Sequence, residues 1–240
     1  MVRRIWSESG EAKSRYVKEM FTALAGRYNV LTDFWTFGLH RVWKKRAMAL
    51  CALQPGEQVL DVATGTGDIA ALAAAAVGPG GQVVGVDSCE AMLRVAERRT
   101  GGAIPFRVED ATDLHIPDAS FDVVTISFAL RNVADQDKAL REFRRVLRPG
   151  ARLMVLDFST PSSKLLKMIH NLYFYVLIPV FGWAVAWHRD AHHYAADSMR
   201  GWASGERLSE MILAAGFREV RYVPLSGGLA TVHLARVDGP

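Results

Sequence analysis

The most informative stretch of this chain is VLDVATGTGD, residues 59–68. It begins as a short apolar strand and passes through a turn that contains Gly65 and Gly67, and an alanine-rich helix is predicted over 69–77. Glycines at such a turn let the backbone approach a ligand closely, and the following helix directs its first N–H groups toward that ligand. The stretch therefore predicts the first strand–turn–helix unit of a parallel α/β sheet, with a ligand site at the turn.

The alternation of strands and helices continues to residue 158 and resumes near the C-terminus. Further strands are predicted at 82–86, 104–108, 121–127, 152–158, 220–225 and 229–235, and further helices at 90–99, 135–147 and 207–215. Unbroken apolar strands alternating with helices are typical of a parallel sheet covered on both faces, whereas two strands joined at 226–228 form an antiparallel hairpin. The predicted fold is α/β, a doubly wound, Rossmann-like sheet of seven strands with an antiparallel C-terminal hairpin.

Two local signals set the expected helix ends. Ser88 is expected to cap helix 90–99, because its hydroxyl group can accept a hydrogen bond from an early helical N–H. The sequence RPG at 148–150 is expected to end helix 135–147.

Two segments outside the alternation are also predicted to be helical. Apolar residues from Tyr16 to Leu24 recur at spacings of three and four, so residues 1–52 are expected to form a helical cap. Residues 161–204 break the rhythm and are interpreted as a helical insertion. Both are assigned to a single domain, residues 1–240.

Composition limits the class of protein. Of 240 residues, 50% are hydrophobic and 22% are charged, which excludes a disordered chain. The formal net charge of +4 is too small for a nucleic-acid footprint, so no nucleic-acid partner is expected. Cys51 and Cys89 lack CxxC spacing, and no apolar run follows Arg3 and Arg4. The cysteine spacing favours a reducing compartment, and no secretory signal is expected without an apolar run. Both features predict a cytoplasmic protein.

Three acidic residues, Asp61, Asp87 and Asp110, lie near the ends of predicted strands. Asp87 comes 20 residues after Gly67, where a carboxylate accepts hydrogen bonds from ribose hydroxyls, and Asp110 with Ala111 could read an adenine edge. Each acid could instead cap a loop or form an Asx turn. The pattern fits either a dinucleotide or S-adenosylmethionine, but the antiparallel hairpin is unlike an ordinary dinucleotide-binding domain.

Several segments match one family, and those at 37–43 and 128–133 are specific to it. They are RYN at 27–29, FGLHRVW at 37–43, VLDVATGTGD at 59–68, ISFALRNV at 126–133, KALRE at 138–142, RVLRPG at 145–150, AGF at 215–217 and LSGG at 225–228. With these segments in order along nearly the whole chain, the sequence resembles the ubiquinone/menaquinone biosynthesis C-methyltransferases, a family of class I S-adenosylmethionine-dependent enzymes.

The resemblance implies S-adenosyl-L-methionine as the cofactor. Its contacts are carried over to Tyr28, Asp61, Ala63, Thr64, Gly65, Thr66, Gly67, Asp87, Ser88, Met92, Asp110, Ala111 and Ser127. The chain departs from the family pattern at Thr64, where a glycine is usual, and at Ala70, where a hydroxyl residue is common. In the insertion His192 replaces a tyrosine, and Trp187-His188 replaces a Gly-Asp pair. Because the insertion shapes the acceptor pocket in this fold, these departures leave the identity of the acceptor open.

The residues that follow the fourth strand are candidates for the chemistry. A ring carbon of a hydroquinone becomes nucleophilic when an adjacent phenol loses its proton, so a base is needed. Arg131 stays protonated and is expected to stabilise the phenolate, with Asn132 holding the other oxygen. If the insertion folds over the site, His188, His192 or His193 would be the natural base, and His192 is taken as the candidate. Arg131 could instead form a structural salt bridge and His192 could be solvated, and no metal site is expected.

Residues 168–187 contain no charged side chain. Two short helices broken near Pro179 are predicted there, as a lid over a lipophilic quinol-type substrate or, through 165–187, as a peripheral membrane contact. Ordinary core or a homodimer interface would produce the same composition. The protein is thus expected to be cytoplasmic, with membrane association through this segment as an alternative.

The expected function is S-adenosylmethionine-dependent C-methylation of a polyprenylated quinol precursor, either demethylmenaquinol or a ubiquinol precursor. Three alternatives stay open. They are methylation of another aromatic or polyketide-like small molecule, a non-catalytic cofactor-binding scaffold subunit, and an NAD-linked oxidoreductase. The altered insertion favours the first of these.

Overall fold

A computed structural model of the chain describes residues 10–161, 168, 198 and 202–239. Its helices are α1 (Glu11–Leu24), α2 (Tyr28–Thr36), α3 (Leu39–Cys51), α4 (Asp68–Val77), α5 (Glu90–Thr100), α6 (Gln136–Val146) and α7 (Gly205–Ala214). Its strands are β1 (Gln58–Val62), β2 (Gln82–Asp87), β3 (Phe106–Val108), β4 (Phe121–Ser127), β5 (Leu147–Phe158), β6 (Arg218–Leu225) and β7 (Ala230–Arg236).

The strands form one sheet of seven in the order β3-β2-β1-β4-β5-β7-β6. The first five pair in parallel, whereas β7 lies antiparallel between β5 and β6. The chain reverses its direction of winding between β1 and β4, which are neighbours in the sheet. A crevice opens beyond the carboxyl ends of the strands at such a switch point, and ligands of open α/β sheets bind there. The predicted fold class is therefore confirmed.

Both faces of the sheet are covered, as the alternation along β1 shows. Val59 packs with α3 and α4, and its neighbour Leu60 packs on the opposite face with α6 and α7. Both side chains are fully buried. Successive side chains of a strand point to opposite faces, so an unbroken apolar strand requires helices on each side.

Three local predictions were wrong. The residue before α5 is Cys89, not Ser88, and no side chain caps this helix. Residues 148–150 do not separate α6 from a strand that begins at 152 but belong to β5, because the chain becomes extended at Leu147, which pairs with Phe121 before a bulge. The strand predicted at 104–108 is confined to Phe106–Val108.

Helices α1 and α2 lie near the carboxyl ends of the strands, and α3 covers one face of the sheet with its first half at the same end. Trp43 of α3 packs against Phe128 and Phe158, with ring centroids 6.1 Å away in each case, and its indole N–H donates to the Ser226 hydroxyl at 2.8 Å. Lys44 forms an ion pair with Asp68 at 2.8 Å. These contacts fix the N-terminal helices against the end of the sheet that holds the glycine turn. No helix among the described residues is both long and apolar enough to cross a bilayer.

Candidate active site

The glycine turn after β1 has an unusual backbone. Ala63, Gly65 and Gly67 all have left-handed φ angles, of 50°, 58° and 81°. The turn is held from below by Asp61, whose carboxylate accepts hydrogen bonds from the hydroxyls of Thr64 at 2.6 Å and Thr125 at 2.7 Å. A left-handed alanine costs conformational energy, and such strain persists where the surrounding structure enforces it. The buried carboxylate of Asp61 supplies that enforcement.

Asp87, the last residue of β2, joins two backbone segments. One carboxylate oxygen accepts the Gly65 N–H at 2.9 Å and the other accepts the Cys89 N–H at 2.8 Å. Burial raises the pKa of Asp87, and the two N–H groups offset part of that rise. Each oxygen has a further lone pair. The carboxylate can therefore order the turn and accept a ligand hydroxyl group at the same time.

A cavity of about 490 Å³ opens above these residues. The predicted site residues that line it are Tyr28, Ala63, Gly65, Asp87, Ser88, Met92, Asp110, Ala111, Ser127 and Asn132. The remaining described ones, Asp61, Thr64, Thr66, Gly67 and Arg131, are not lining residues. Of these, Thr66 acts as a support, because its hydroxyl donates to the Asn29 side chain at 2.8 Å and thereby ties α2 to the turn. Ten of the predicted site residues thus line the cavity, and others support it from behind.

Two polar residues that line the cavity, Asp110 and Ser127, differ in their hydrogen bonds. Asp110 forms the Asx turn that the sequence left open, since one of its oxygens accepts both the N–H and the hydroxyl of Thr112, at 2.8 and 2.7 Å. The Ser127 hydroxyl is buried and has no hydrogen-bond partner among the described residues. An unsatisfied buried hydroxyl group is costly. A polar ligand atom in the cavity would relieve that cost.

One wall of the cavity was missed by the sequence analysis. Ser14, Arg15, Val17, Lys18 and Phe21 of α1 line it, and Phe21 packs edge-on against Tyr28 at 5.9 Å. The apolar spacing from Tyr16 to Leu24 predicted the helix, but spacing gives no information on what the helix covers. The helix is fastened at its start by Lys13, whose ammonium group donates to the carbonyls of Arg131 and Val133.

The environment of Lys13 is unfavourable for a charge. Burial lowers the pKa of Lys13, and the nearby charge of Arg131 lowers it further. The two carbonyl contacts, at 3.2 and 3.1 Å, compensate for part of this cost. They also join α1 to the turn that follows β4, so the cavity wall and the candidate catalytic turn are held as one unit.

The guanidinium group of Arg131 lies just behind the cavity. One terminal nitrogen donates to Asp157 and to the Phe128 carbonyl, both at 2.6 Å, and the group lies 5.0 Å from the centre of the Phe158 ring. Asp157 is fully buried, which raises its pKa, and the charge of Arg131 offsets part of this rise. The structural salt bridge considered for Arg131 is therefore present. Its Nε atom, however, is buried with no partner among the described residues.

Phe128, immediately after β4, also has a left-handed φ angle, of 56°, and it lines the cavity. Together with Ala63 it gives strained, non-glycine backbone at the ends of the two central strands. His192 lies outside the described residues, as does nearly all of 165–187. The described part of the chain brings no three potential metal ligands together.

Solved structures share this fold. The chain matches a SAM-dependent methyltransferase from Thermotoga maritima with a TM-score of 0.64 and 20% identity, over 91% of this chain and 98% of that one. It matches the [4+2]-cyclase SpnF with a TM-score of 0.67 and 18% identity, over 93% and 96%. The sheet order, the glycine turn and the acids at the ends of β1 and β2 give this chain the α/β fold of those structures. Since the second match names a cyclase, fold alone does not give the reaction.

The sequence supplies the family. The profile of the ubiE/COQ5 methyltransferase family matches residues 9–236, and the chain belongs to that family. The ubiquinone/menaquinone biosynthesis C-methyltransferase UbiE of Hydrogenovibrio crunogenus is 40% identical over 228 residues, which cover 93% of this chain and 90% of the relative. The family expected from the sequence is thereby confirmed, and the chain is a methyltransferase.

Asp61 provides a testable pH dependence. Burial raises its pKa from 3.8 to about 6, and the hydroxyls of Thr64 and Thr125 offset only part of that rise. Because the folded-state pKa is the higher one, the contribution of Asp61 to stability is complete below pH 3.8 and is lost as the pH rises through about 6. From pH 4 to pH 7, the free energy of unfolding should fall by about 2 kcal/mol more in the wild type than in Asp61→Asn. Urea denaturation of both proteins at the two pH values measures this, and parallel changes would contradict it.

Proposed function

We propose that this protein transfers a methyl group from S-adenosyl-L-methionine to a ring carbon of a polyprenylated quinol precursor, either demethylmenaquinol or a ubiquinol precursor. The observation that carries the cofactor half is the Asp87 carboxylate, buried in the cavity wall and bonded to the glycine turn on one side and to Cys89 on the other. The acceptor half rests on the names of relatives 36–40% identical to this chain.

The cavity residues fit the cofactor chemically. Asp87 would accept hydrogen bonds from the ribose hydroxyls, Asp110 with Ala111 would meet the adenine edge, and the turn from Ala63 to Gly67 would face the methionine portion. When bound, S-adenosylmethionine supplies an electrophilic methyl group on a sulfonium centre. Tyr28 and the α1 wall would exclude water from this methyl group.

The acceptor side is built from the turn after β4. A quinol carbon needs its neighbouring oxygen as a phenolate, and the guanidinium group of Arg131, just behind the cavity wall, would stabilise that negative charge. Its Nε atom is buried and has no hydrogen-bond partner among the described residues. Asn132, which lines the cavity, would hold the second oxygen. The Phe128 ring gives this part of the wall an apolar surface. The chain would thus orient the ring and stabilise its charge, while the proton acceptor remains assigned to His192.

Two finer points belong to the same proposal. Residues 165–187 would cover the isoprenoid tail or contact a membrane, and the protein would form a homodimer. Light scattering of the purified protein tests the second point, with a monomer at all concentrations as the contrary result.

The test is calorimetric titration with S-adenosylhomocysteine, with NADH titrated in parallel. This is followed by methylation of a short-tail demethylmenaquinol kept reduced, with the product identified by mass spectrometry. Micromolar binding of S-adenosylhomocysteine alone, with one methyl group added to ring carbon, is the expected result. Binding of NADH alone would overturn the cofactor, and binding without methylation of any quinol would overturn the acceptor.

A further inference from the structure

Exposed apolar side chains are concentrated in one place. Five of the eight large hydrophobic residues that the described chain exposes fall between residues 30 and 42. They are Val30, Phe34, Phe37, Leu39 and Val42. We call the segment from Val30 to Arg46, the end of α2 and the first half of α3, the elbow. An apolar patch this concentrated on a folded protein marks an interaction surface.

Phe37, between the two helices, is the most exposed of them. It keeps 76% of its surface accessible and has a left-handed φ angle of 49°. This conformation favours glycine and is unfavourable for a bulky residue. The chain thus accepts both backbone strain and exposure of an aromatic ring at one position. The left-handed backbone ends α2, since the N–H groups of Phe37 and Gly38 bond to the carbonyls of Phe34 and Asp33. That cap does not require an exposed aromatic ring, so the ring points to an interaction surface.

The elbow is a rigid feature. The Asp33 carboxylate accepts hydrogen bonds from His40 Nε2 at 2.8 Å and from Arg41 Nε at 2.7 Å, across the bend. The hydrogen bond from Arg41, and after it the one from His40, lowers the pKa of Asp33 to about 2. The Asp33 carboxylate is therefore ionised at neutral pH, and both contacts across the bend are maintained. The backbone that presents Phe37 is therefore fixed across the bend.

Charge accompanies the apolar side chains. From Phe34 to Gly56 the sequence contains four lysine and arginine residues and no acidic residue. Lys45 and Arg46 are exposed one turn after Val42, on the outer face of α3, whereas His40 and Trp43 of the same helix are buried. Phe37 and Val42 with Lys45 and Arg46 one turn later are complementary to an anionic bilayer surface. Apolar side chains can enter the boundary of the acyl chains there, while cations contact the anionic headgroups.

The elbow also lies at the end of the sheet that holds the proposed acceptor site. Trp43, on the inner face of α3, packs on Phe128, which lines the cavity at the end of β4. A membrane in contact with Phe37 and Val42 would therefore lie on the same side of the sheet as the proposed acceptor site.

We propose that the elbow docks on an anionic lipid bilayer, with Phe37 and Val42 inserted and Lys45 and Arg46 on the headgroups. The inference rests on the proposed function in one respect, since a polyprenylated acceptor would reside in that bilayer. It differs from the membrane contact expected through 165–187, because it uses residues of the N-terminal helices.

The experiment is co-sedimentation of the full-length protein with phosphatidylcholine vesicles, with and without phosphatidylglycerol and without any acceptor. The apolar variant is Phe37→Asn with Val42→Gln, since asparagine tolerates a left-handed φ angle and keeps the fold. Its matched control is Leu213→Gln on α7, another exposed apolar position. The variant is expected to bind anionic vesicles about tenfold more weakly, and the control to bind like the wild type.

A charge variant tests the headgroup contact. Lys45→Gln with Arg46→Gln should lose about tenfold in binding to anionic vesicles and nothing on pure phosphatidylcholine. Lys138→Gln with Arg141→Gln, two exposed cations of α6, is the control and should bind like the wild type. Added salt should weaken wild-type binding and leave the charge variant nearly unaffected.

Equal vesicle binding by the elbow variants and their controls would overturn the proposal. So would a change from dimer to monomer in the apolar variant without loss of vesicle binding, because the elbow would then be an interface between copies. Failure of the proposed function is distinguishable. A wild type that methylates no quinol, yet sediments with vesicles in a Phe37-dependent manner, would contradict the acceptor and leave the elbow proposal standing.

Discussion

Replacement of Asp87 by alanine is expected to weaken the binding of S-adenosylhomocysteine about a thousandfold, because about 4 kcal/mol of charge-assisted hydrogen bonding is lost. The carboxylate would serve the ligand directly through the ribose. It also holds the Gly65 and Cys89 N–H groups, at 2.9 and 2.8 Å, on either side of the cavity. The variant therefore loses a ligand contact and the order of the turn together. Calorimetric titration of the folded variant measures the loss.

Asparagine at position 87 makes the test sharper. Both carboxylate oxygens accept a backbone N–H, so an amide must place its NH₂ group against one of them, whichever way it is oriented. Asp87→Asn is therefore expected to bind nearly as weakly as Asp87→Ala, although asparagine is nearly isosteric. Asp137→Asn, on the exposed first turn of α6, is the control and should bind normally. An Asp87→Asn variant with wild-type affinity would show that Asp87 does not fix the turn.

The fold was predictable because its signals are local. The largely apolar strands β1, β2 and β4 require burial on both faces, and the glycines at 65 and 67 mark the turn. The errors occurred where tertiary contacts decide. Residues 148–150 have the composition of a helix end, yet pairing of Leu147 with Phe121 places them in a strand. Ser88 has the chemistry of a cap, yet the chain enters α5 one residue later, with the Asp87 carboxylate on the Cys89 N–H.

The site was predictable only where residue type carries the information. An acid at a strand end is visible in a sequence, and Asp61 and Asp87 were found in this way. A left-handed φ angle at Ala63, Phe37 or Phe128 leaves no trace in the residue type, because these residues rarely adopt it. Asp157, 26 residues after Arg131, could not be assigned as its partner before the register of β4 and β5 was known.

The pairing of Arg131 with Asp157 makes a simple alanine variant ambiguous. Arg131→Ala leaves a fully buried carboxylate without its cation, and the expected loss of stability is about 3 kcal/mol. Asp157→Asn in the same chain removes that charge, so the double variant should recover most of the stability. Turnover should not recover, because the double variant still lacks the positive charge that, in the proposed mechanism, stabilises the developing phenolate from behind the cavity wall. Urea denaturation and single-turnover methylation separate the two roles.

The expected values follow from the geometry. Loss of a preorganised charged donor from a reacting oxygen costs about a hundredfold in the transfer step, so the double variant should stay at least that slow. The affinity for S-adenosylhomocysteine should stay within about threefold of the wild type, because Arg131 does not line the cavity. Asp157→Asn alone keeps the guanidinium but loosens it, and an intermediate loss of about tenfold is expected. A double variant that regains both stability and turnover would show that Arg131 is only a structural partner of Asp157, and the phenolate would need another donor.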